Sequence, residues 1–302
     1  SCEAEDQDAM SQATSIATAG MRRRILGGTG IAVGEIAFGS HLERRNVDDP
    51  AERRRQIRTG IEHGIDLFDI YEHSYQQFAP MSAALAPVRD QVAISLVTVW
   101  RAATEVMEEV EYALRVFQRG HIDLYRAVLT GDWDDSDQRL QTLLRAKEQG
   151  KVRAVGAVVH YPEHLSEGLR RYGGLIEYVM VPVSFCAPLV IREDRPLTGA
   201  LRRSGVGVIA MKPMAAADAE GGYIVKLRPP GEEVTALRRQ GLRLGQLALK
   251  YVLQSDVISC ALPTMNSVDE VLEDVSASGD GPLTAAEARF LELHRQEAER
   301  AF

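Results

Sequence analysis

The 302 residues are 45% hydrophobic and 26% charged, which is the composition of a globular protein that can bury a core. The net charge of −8 and a pI near 5.5 argue against nucleic acid or an anionic membrane surface as a partner, because both require a basic surface. No apolar run approaches the roughly 20 residues that cross a bilayer. We therefore expect a soluble protein, without a membrane-spanning segment, whose partner is a small organic molecule.

The N-terminal residues 1–21 are small and polar and show no periodicity, so we expect a disordered leader or linker there. Cys2 followed by an acidic spacer also resembles the start of an exported lipoprotein. We favour a cytoplasmic location, because no charged n-region or apolar h-region supports export. The three cysteines lack the spacing of a metal site or a redox motif, so we expect no metal.

From Arg22 onward the pattern becomes regular. The segment "RRILGGTGIAVGEIAFGS" predicts two short strands around Gly27, Gly28 and Gly30, followed by a buried strand that ends at Gly39. Seven further apolar, strand-like runs follow in chain order: "IDLFDIY", "QVAISLVTVW", "IDLYRAVLT", "VRAVGAVVH", "YVMVPVSF", "VGVIAMKPM" and "VISCALPT".

Amphipathic helical stretches lie between these runs, for example "PAERRRQIRTGIEHG" and "TEVMEEVEYALRVFQRG". Eight βα units with continuously apolar strands predict an α/β fold, a single (β/α)8 TIM barrel over residues 22–302 with an N-terminal β-hairpin. A doubly wound open sheet is the alternative, but no G-x-G-x-x-G follows the first strand.

A barrel carries its functional residues at the C-terminal ends of the strands. The segment "DLFDIYEHSYQQF" supplies the most ionisable candidates, namely Asp69, Tyr71, His73 and Tyr75. His160 ends strand five, and Lys212 follows strand seven, where it could polarise a carbonyl group or pair with an acid such as Asp69 or Asp132. Further strand-end candidates are Ser40, His41, Thr98, Trp100, Thr130, Trp133, Ser184, Cys186 and Thr264.

These segments, with "GIEHGIDLFDIYEHSY", "KVRAVGAVVH", "GVGVIAMKPM" and "LPTMNSVDEVLEDV", resemble the aldo-keto reductase superfamily over about residues 22–302. The resemblance implies a barrel that binds NADP(H) or NAD(H) without a Rossmann loop. It also implies reduction of carbonyls by a tetrad of Asp, Tyr, Lys and His.

Carried over residue by residue, the resemblance places the tetrad aspartate at Asp69. Ser74 stands at the tyrosine position, with Tyr75 one place beyond it and Tyr71 three before. The lysine position holds Val97, or Thr98 under a shifted alignment, and the histidine position holds Val128. The lysine normally lowers the pKa of the tyrosine, so an unassisted tyrosine is a poor acid at neutral pH.

The resemblance also locates the expected cofactor contacts. The positions that bind the carboxamide hold Val158, Val159 and Met180, and the position that stacks on the nicotinamide ring holds Met211. Glu270 stands where NADP-dependent members carry an arginine for the 2′-phosphate, and its charge would repel that group. Glu273 and Asp274 follow the adenine-contacting pattern and are the candidate cofactor-binding residues.

Three hypotheses follow. The one we prefer from sequence is an enzyme that has lost NADPH-dependent carbonyl reduction and uses Asp69, Tyr75, His160 and Lys212 for lyase, dehydratase or isomerase chemistry, with no cofactor expected. The second is an NAD(P)H-dependent oxidoreductase with an altered tetrad and a preference for NAD(H). The third is a binding protein without catalytic activity.

Overall fold

Eight parallel strands close into a barrel, as the sequence predicts. The computed structural model describes residues 20–40, 49–71, 78–98, 101–188, 190–214, 216–217, 224–225 and 231–299. Most of the predicted leader, including Cys2, lies outside these residues. A β-hairpin of β1 (Arg23–Ile25) and β2 (Ala32–Gly34) precedes the barrel and is antiparallel. The eight barrel strands are β3 (Phe38–Gly39), β4 (Leu67–Asp69), β5 (Ala93–Thr98), β6 (Ile122–Val128), β7 (Val152–Val158), β8 (Tyr178–Pro182), β9 (Gly207–Met211) and β12 (Cys260–Leu262).

Neighbouring barrel strands are consecutive in the chain, apart from a short hairpin of β10 (Ala216–Ala217) and β11 (Ile224–Val225) inserted after β9. The last strand returns to the first through parallel bridges between Ile36 and Ala261 and between Gly39 and Thr264. Backbone hydrogen bonds of 2.9 Å from Ala37 to Ala261 and from Ala261 to Glu35 complete the seam. The open-sheet alternative is therefore excluded.

Helices cover the outside of the barrel. In the part of the chain that the structure describes they are α1 (Pro50–Glu62), α2 (Phe78–Leu85), α3 (Val106–Phe117), α4 (Trp133–Glu148), α5 (Pro162–Tyr172), α6 (Pro196–Ser204), α7 (Glu232–Arg239), α8 (Leu244–Leu253), α9 (Val268–Val275) and α10 (Ala285–Glu299). None of these described helices is long and apolar enough to span a membrane. Short 3₁₀ turns lie at Gly27–Thr29, Ala86–Val88 and Ala103–Glu105.

Side chains along each strand alternate between two buried clusters, one inside the barrel and one between strands and helices. In β5, for example, Val97 belongs to the interior cluster, whereas Leu96 belongs to the outer one. This alternation decides which residues of a strand can reach the functional face.

The hairpin closes the N-terminal end of the barrel. Leu26 and Val33 are fully buried in the interior cluster. Gly27 has a φ of +50°, and a Cβ atom there would lie 2.1 Å from the backbone nitrogen of Gly207, so only glycine allows this close approach. The hairpin thus covers the N-terminal end of the barrel, which leaves the C-terminal end as the candidate entrance for a ligand.

Candidate active site

A buried ion pair lies in the middle of the barrel interior. Asp69 ends β4, and Arg126 lies near the end of β6; they are 4% and 2% exposed. The two guanidinium nitrogens of Arg126 donate to the two carboxylate oxygens of Asp69 at 2.6 and 3.1 Å. A bidentate pair of this kind is the strongest arrangement available to these groups. Asp69 is therefore held as a carboxylate beside a cation.

Ser95 and Tyr178 complete the surroundings of this pair. The Ser95 hydroxyl donates to Asp69 at 2.7 Å and accepts from Arg126 at 2.8 Å. Burial works against the charged form of Arg126, but the charge and hydrogen bonds of Asp69 raise its pKa above the ordinary value. Burial also raises the pKa of Tyr178, with Arg126 opposing and Asp69 adding to the effect. The tyrosine therefore stays a neutral phenol.

Glycine at position 156 makes room for this arrangement. Gly156 pairs in register with both Arg126 and Tyr178 on the neighbouring strands. A Cβ atom at Gly156 would lie 2.4 Å from the Tyr178 ring. The polar layer inside the barrel thus requires a strand position without a side chain.

Above the ion pair the barrel interior is apolar. Val97, Val158, Met180, Met211 and Leu262 are at most 8% exposed and belong to the interior cluster, and Val128 packs against it. We call these six side chains the apolar floor of the mouth. They supply no hydrogen-bonding side-chain group and only a weakly polar thioether, so a ligand that rests on them is held by apolar contact.

Tyr71 lies at the edge of this floor. It follows Asp69 by two residues, is half-buried and packs against the interior cluster. Burial raises its pKa, while the positive charge of Arg126 lowers it and the negative charge of Asp69 raises it. Its hydroxyl therefore lies within the electrostatic reach of the buried pair.

His160 and Lys212 are the basic candidates at the mouth. His160 lies two residues beyond β7 and Lys212 directly follows β9; both are half-buried. Burial, the positive charge of Lys212 and that of Arg126 lower the pKa of His160 to about 4, so the imidazole is neutral at pH 7. Burial alone lowers the pKa of Lys212.

Several other strand-end candidates face away from the mouth. Thr98 donates at 3.3 Å to Glu109 of α3 and accepts at 3.2 Å from Arg139 of α4, so it points toward the helices. Asp132 accepts from the backbone N–H of Asp135 and begins α4. The ring of Trp133 packs between α4 and α5, where the guanidinium of Arg171 stacks on it.

Two of the predicted site residues, His73 and Tyr75, lie outside the described residues, as do His41 and Trp100. Ser40 donates its hydroxyl to the Asp69 backbone carbonyl at 2.8 Å. Cys186 lines a cleft of about 540 Å³ between the segment after β8 and helix α10, and none of the side chains of the apolar floor lines it. In the described ranges no three His, Cys, Asp or Glu side chains are grouped to hold a metal ion.

Comparison with known proteins agrees with this architecture. The Aldo/keto reductase family model matches residues 31–294. The chain belongs to the aldo/keto reductase family.

Similar family members share only modest sequence identity. The L-galactose dehydrogenase of Arabidopsis thaliana is 23% identical over 287 residues, covering 84% of this chain and 87% of that protein. Among solved structures, the holo form of aldo-keto reductase AKR11C1 from Bacillus halodurans superposes with a TM-score of 0.70 at 23% identity, covering 91% of this chain and 96% of that one. A putative aldo-keto reductase from Pseudomonas aeruginosa gives 0.65 at 19% identity, covering 87% and 98%.

The alternation of β5 settles which residue of this aldo/keto reductase stands at the expected lysine position. Val97 faces the interior and Thr98 faces the helices. Arg126 is the register partner of Val97 on the next strand. The cation beside Asp69 therefore comes from the strand adjacent to the one expected to supply a lysine.

Arg126 is the functional candidate that sequence reasoning missed. It lies inside "IDLYRAVLT", which the apolar pattern assigned to a buried strand. A guanidinium in the interior of a parallel barrel requires a buried acid. That requirement, together with the aspartate at the end of β4, is the signal that could have identified Arg126.

The acidic candidates for the dinucleotide lie around the start of α9. The carboxylate of Glu270 accepts from the backbone N–H of Asn266 at 2.7 Å. Glu273 accepts from the backbone N–H of Gly245 at 2.7 Å, at the start of α8. Asp274 is 2% exposed, and burial followed by the charges of Glu273 and Glu270 raises its pKa well above the ordinary value. A role of Glu273 and Asp274 in binding a dinucleotide stays a prediction.

Proposed function

We propose that this chain is an oxidoreductase that interconverts a carbonyl and an alcohol on a small organic molecule, with NAD(H) preferred to NADP(H). The observation that carries this proposal is the bidentate pair of Asp69 and Arg126. A fixed cation beside the aspartate at the base of the mouth supplies the positive potential for which the family otherwise uses lysine. Family membership and the similarity to an L-galactose dehydrogenase also support it.

A nicotinamide dinucleotide fits the described residues in part. The apolar floor can pack against one face of a nicotinamide ring, but Val158 and Met180 offer no hydrogen-bond donor for a carboxamide. At the adenosine end of the expected cofactor site, the negative charges of Glu270 and Glu273 would repel a 2′-phosphate. The same carboxylates could accept hydrogen bonds from ribose hydroxyl groups. This charge distribution is the reason for the NAD(H) preference.

A bound dinucleotide would supply or accept the hydride. The chain itself would hold the substrate over the apolar floor and move one proton at the carbonyl oxygen. Tyr71 and Tyr75 are the candidate phenols for that proton. Burial raises the pKa of Tyr71 and the Arg126 charge opposes that rise, so Tyr71 is a neutral phenol that can donate a proton. The neutral imidazole of His160 can donate to or accept from the substrate oxygen.

A direct titration with NADH and with NADPH, followed by steady-state assays on carbonyl and alcohol panels, tests the proposal. We expect NADH to bind more tightly than NADPH, and Glu270→Gln to narrow the difference about fivefold, since one charge at this range contributes on the order of 1 kcal/mol. Comparing the activities of Tyr75→Phe and Tyr71→Phe should show which of the two phenols transfers the proton. Tyr251→Phe, in the outer cleft, is the matched control. No binding of either dinucleotide would contradict the proposal.

Cofactor-independent acid–base chemistry of the lyase, dehydratase or isomerase type is the second candidate. The buried Val97 and the partly buried Val128, at the positions where lysine and histidine are expected, favour it. This candidate predicts turnover of a small organic substrate with no dinucleotide bound and loss of turnover in His160→Gln. An absence of turnover under all conditions would leave a ligand-binding protein.

A further inference from the structure

Two basic side chains, His160 and Lys212, lie at the barrel mouth, both half-buried. Among the described residues no carboxylate lies within salt-bridge distance of Lys212, and burial lowers its pKa. The two acids expected to pair with it are engaged elsewhere: Asp69 with Arg126, and Asp132 at the start of α4. Within the part of the chain that the structure describes, the half-buried ammonium group is therefore not neutralised.

Lys250 provides a contrast within the same chain. It is 5% exposed, and its ammonium group pairs with Glu287 at 2.9 Å and Asp280 at 3.0 Å. The chain has an excess of eight acidic charges, so acids are not scarce. Lys250 is thus neutralised by two acids, whereas Lys212 has no such partner among the residues that the structure describes.

His160 lies beside this unneutralised charge. It interacts electrostatically with Lys212 on β9 and with Arg126 on β6, and both neighbours are cations. His160 follows β7 and Lys212 follows β9, two positions apart in the sheet, so both lie at the C-terminal end of the barrel. Among the described residues the carboxylate beneath them, that of Asp69, is already paired with Arg126.

The backbone at Lys212 supports a functional role. Its φ is +57°, a left-handed conformation that is unfavourable for a non-glycine residue. Strain of this kind persists where the surrounding structure fixes it, and it clusters at ligand sites.

We propose that His160 and Lys212 bind an anionic group, a carboxylate or a phosphate, on a ligand whose carbon skeleton rests on the apolar floor. The inference rests on the proposed function only in taking the barrel mouth as the substrate site. It names the substrate class as small organic acids or phosphate esters. Binding is measured without turnover, so its failure is distinguishable from a failure of hydride transfer.

Calorimetric or NMR titrations of the full chain with benzoate, benzamide, inorganic phosphate and pyrophosphate test this site. Benzamide matches benzoate in shape and lacks the charge. We expect Lys212→Met to weaken the binding of whichever anion binds by about tenfold or more, because a charge-assisted hydrogen bond is lost. Lys212→Arg should retain most of the affinity, and His160→Gln should lower it.

Arg115→Gln is the control: it removes one exposed cation in the last turn of α3 and should leave the anion affinity unchanged. Tighter binding of benzoate would assign the site to a carboxylic acid substrate. Tighter binding of pyrophosphate would assign it to a phosphate ester or a nucleotide. Two results would each overturn the inference: no anion among benzoate, phosphate and pyrophosphate binding more tightly than benzamide, or unchanged affinity of the bound anion in Lys212→Met.

Discussion

Replacing Arg126 by methionine should destabilise the protein more than any single surface change. The substitution keeps an unbranched apolar chain but removes the guanidinium that neutralises Asp69. Both residues are at most 4% exposed, so water cannot replace the lost partner. Removing one member of a buried pair typically costs 3–5 kcal/mol, because the other charge is left uncompensated.

The pairwise part of this cost can be isolated with a double-mutant cycle. Asp69→Asn should also destabilise by several kcal/mol, whereas the double variant has no buried charge left and should be far more stable than the sum of the two losses predicts. We expect an interaction energy of about 2–3 kcal/mol. A bidentate contact at 2.6 and 3.1 Å is short enough for a coupling of this size.

Urea unfolding at pH 7 measures each corner of the cycle. The surface pair of Arg289 and Glu233, about half exposed and 3.2 Å apart, gives a matched control cycle that should yield less than about 1 kcal/mol. If the Asp69–Arg126 cycle gives no more than this surface pair, the charge pair does not organise the barrel interior. In that case the reasoning that places Arg126 in the role of the expected lysine fails.

Three further outcomes are expected. Gly156→Ala should destabilise by about 1–3 kcal/mol in the same unfolding assay, because its Cβ would lie 2.4 Å from the Tyr178 ring; an unchanged midpoint would show that the ring can move. Lys212→Gly should be more stable than Lys212→Ala by about 1 kcal/mol, since only glycine relieves the φ of +57°; equal stabilities would contradict the strain. The pKa of His160 lies near 4, below its unfolded value near 6.5, so stability present above pH 6.5 should fall as the pH is lowered toward 4. His160→Gln should flatten that pH dependence, and a wild-type slope retained in the variant would refute it.

The fold was predictable because parallel barrel strands are buried on both faces. Runs such as "VRAVGAVVH" therefore read as continuous apolar segments, and each of the eight became a barrel strand. The hairpin followed from glycines at its turn, and Gly30, with a φ of +69°, has the conformation that only glycine adopts readily. These signals are local in sequence, and local signals are what a single sequence contains.

The candidate site was less predictable because it depends on register. Whether Val97 or Thr98 faces inward cannot be decided from an apolar run that lacks alternation, and the backbone pairing decides it. The partner of Asp69 lies 57 residues away in sequence, on a strand two positions along the sheet. Sequence reasoning placed Asp69 among the candidates for acid–base chemistry, and it could not foresee that a guanidinium would hold both carboxylate oxygens.

The position of Arg126 connects the buried pair with the chemistry of the mouth. A lysine in place of Val97 would bring an ammonium group from β5 into the floor, whereas Arg126 reaches Asp69 from the neighbouring strand beneath the valines. The floor can then be apolar while its base stays charge-paired. With an apolar floor, the described groups that could recognise a polar or anionic substrate are those around its rim, namely His160, Lys212 and Tyr71. A cation on β6 in place of one on β5 is thus consistent with both an apolar floor and a basic rim. The Arg126 variants perturb the buried pair beneath the floor, and the Lys212 variants perturb the rim.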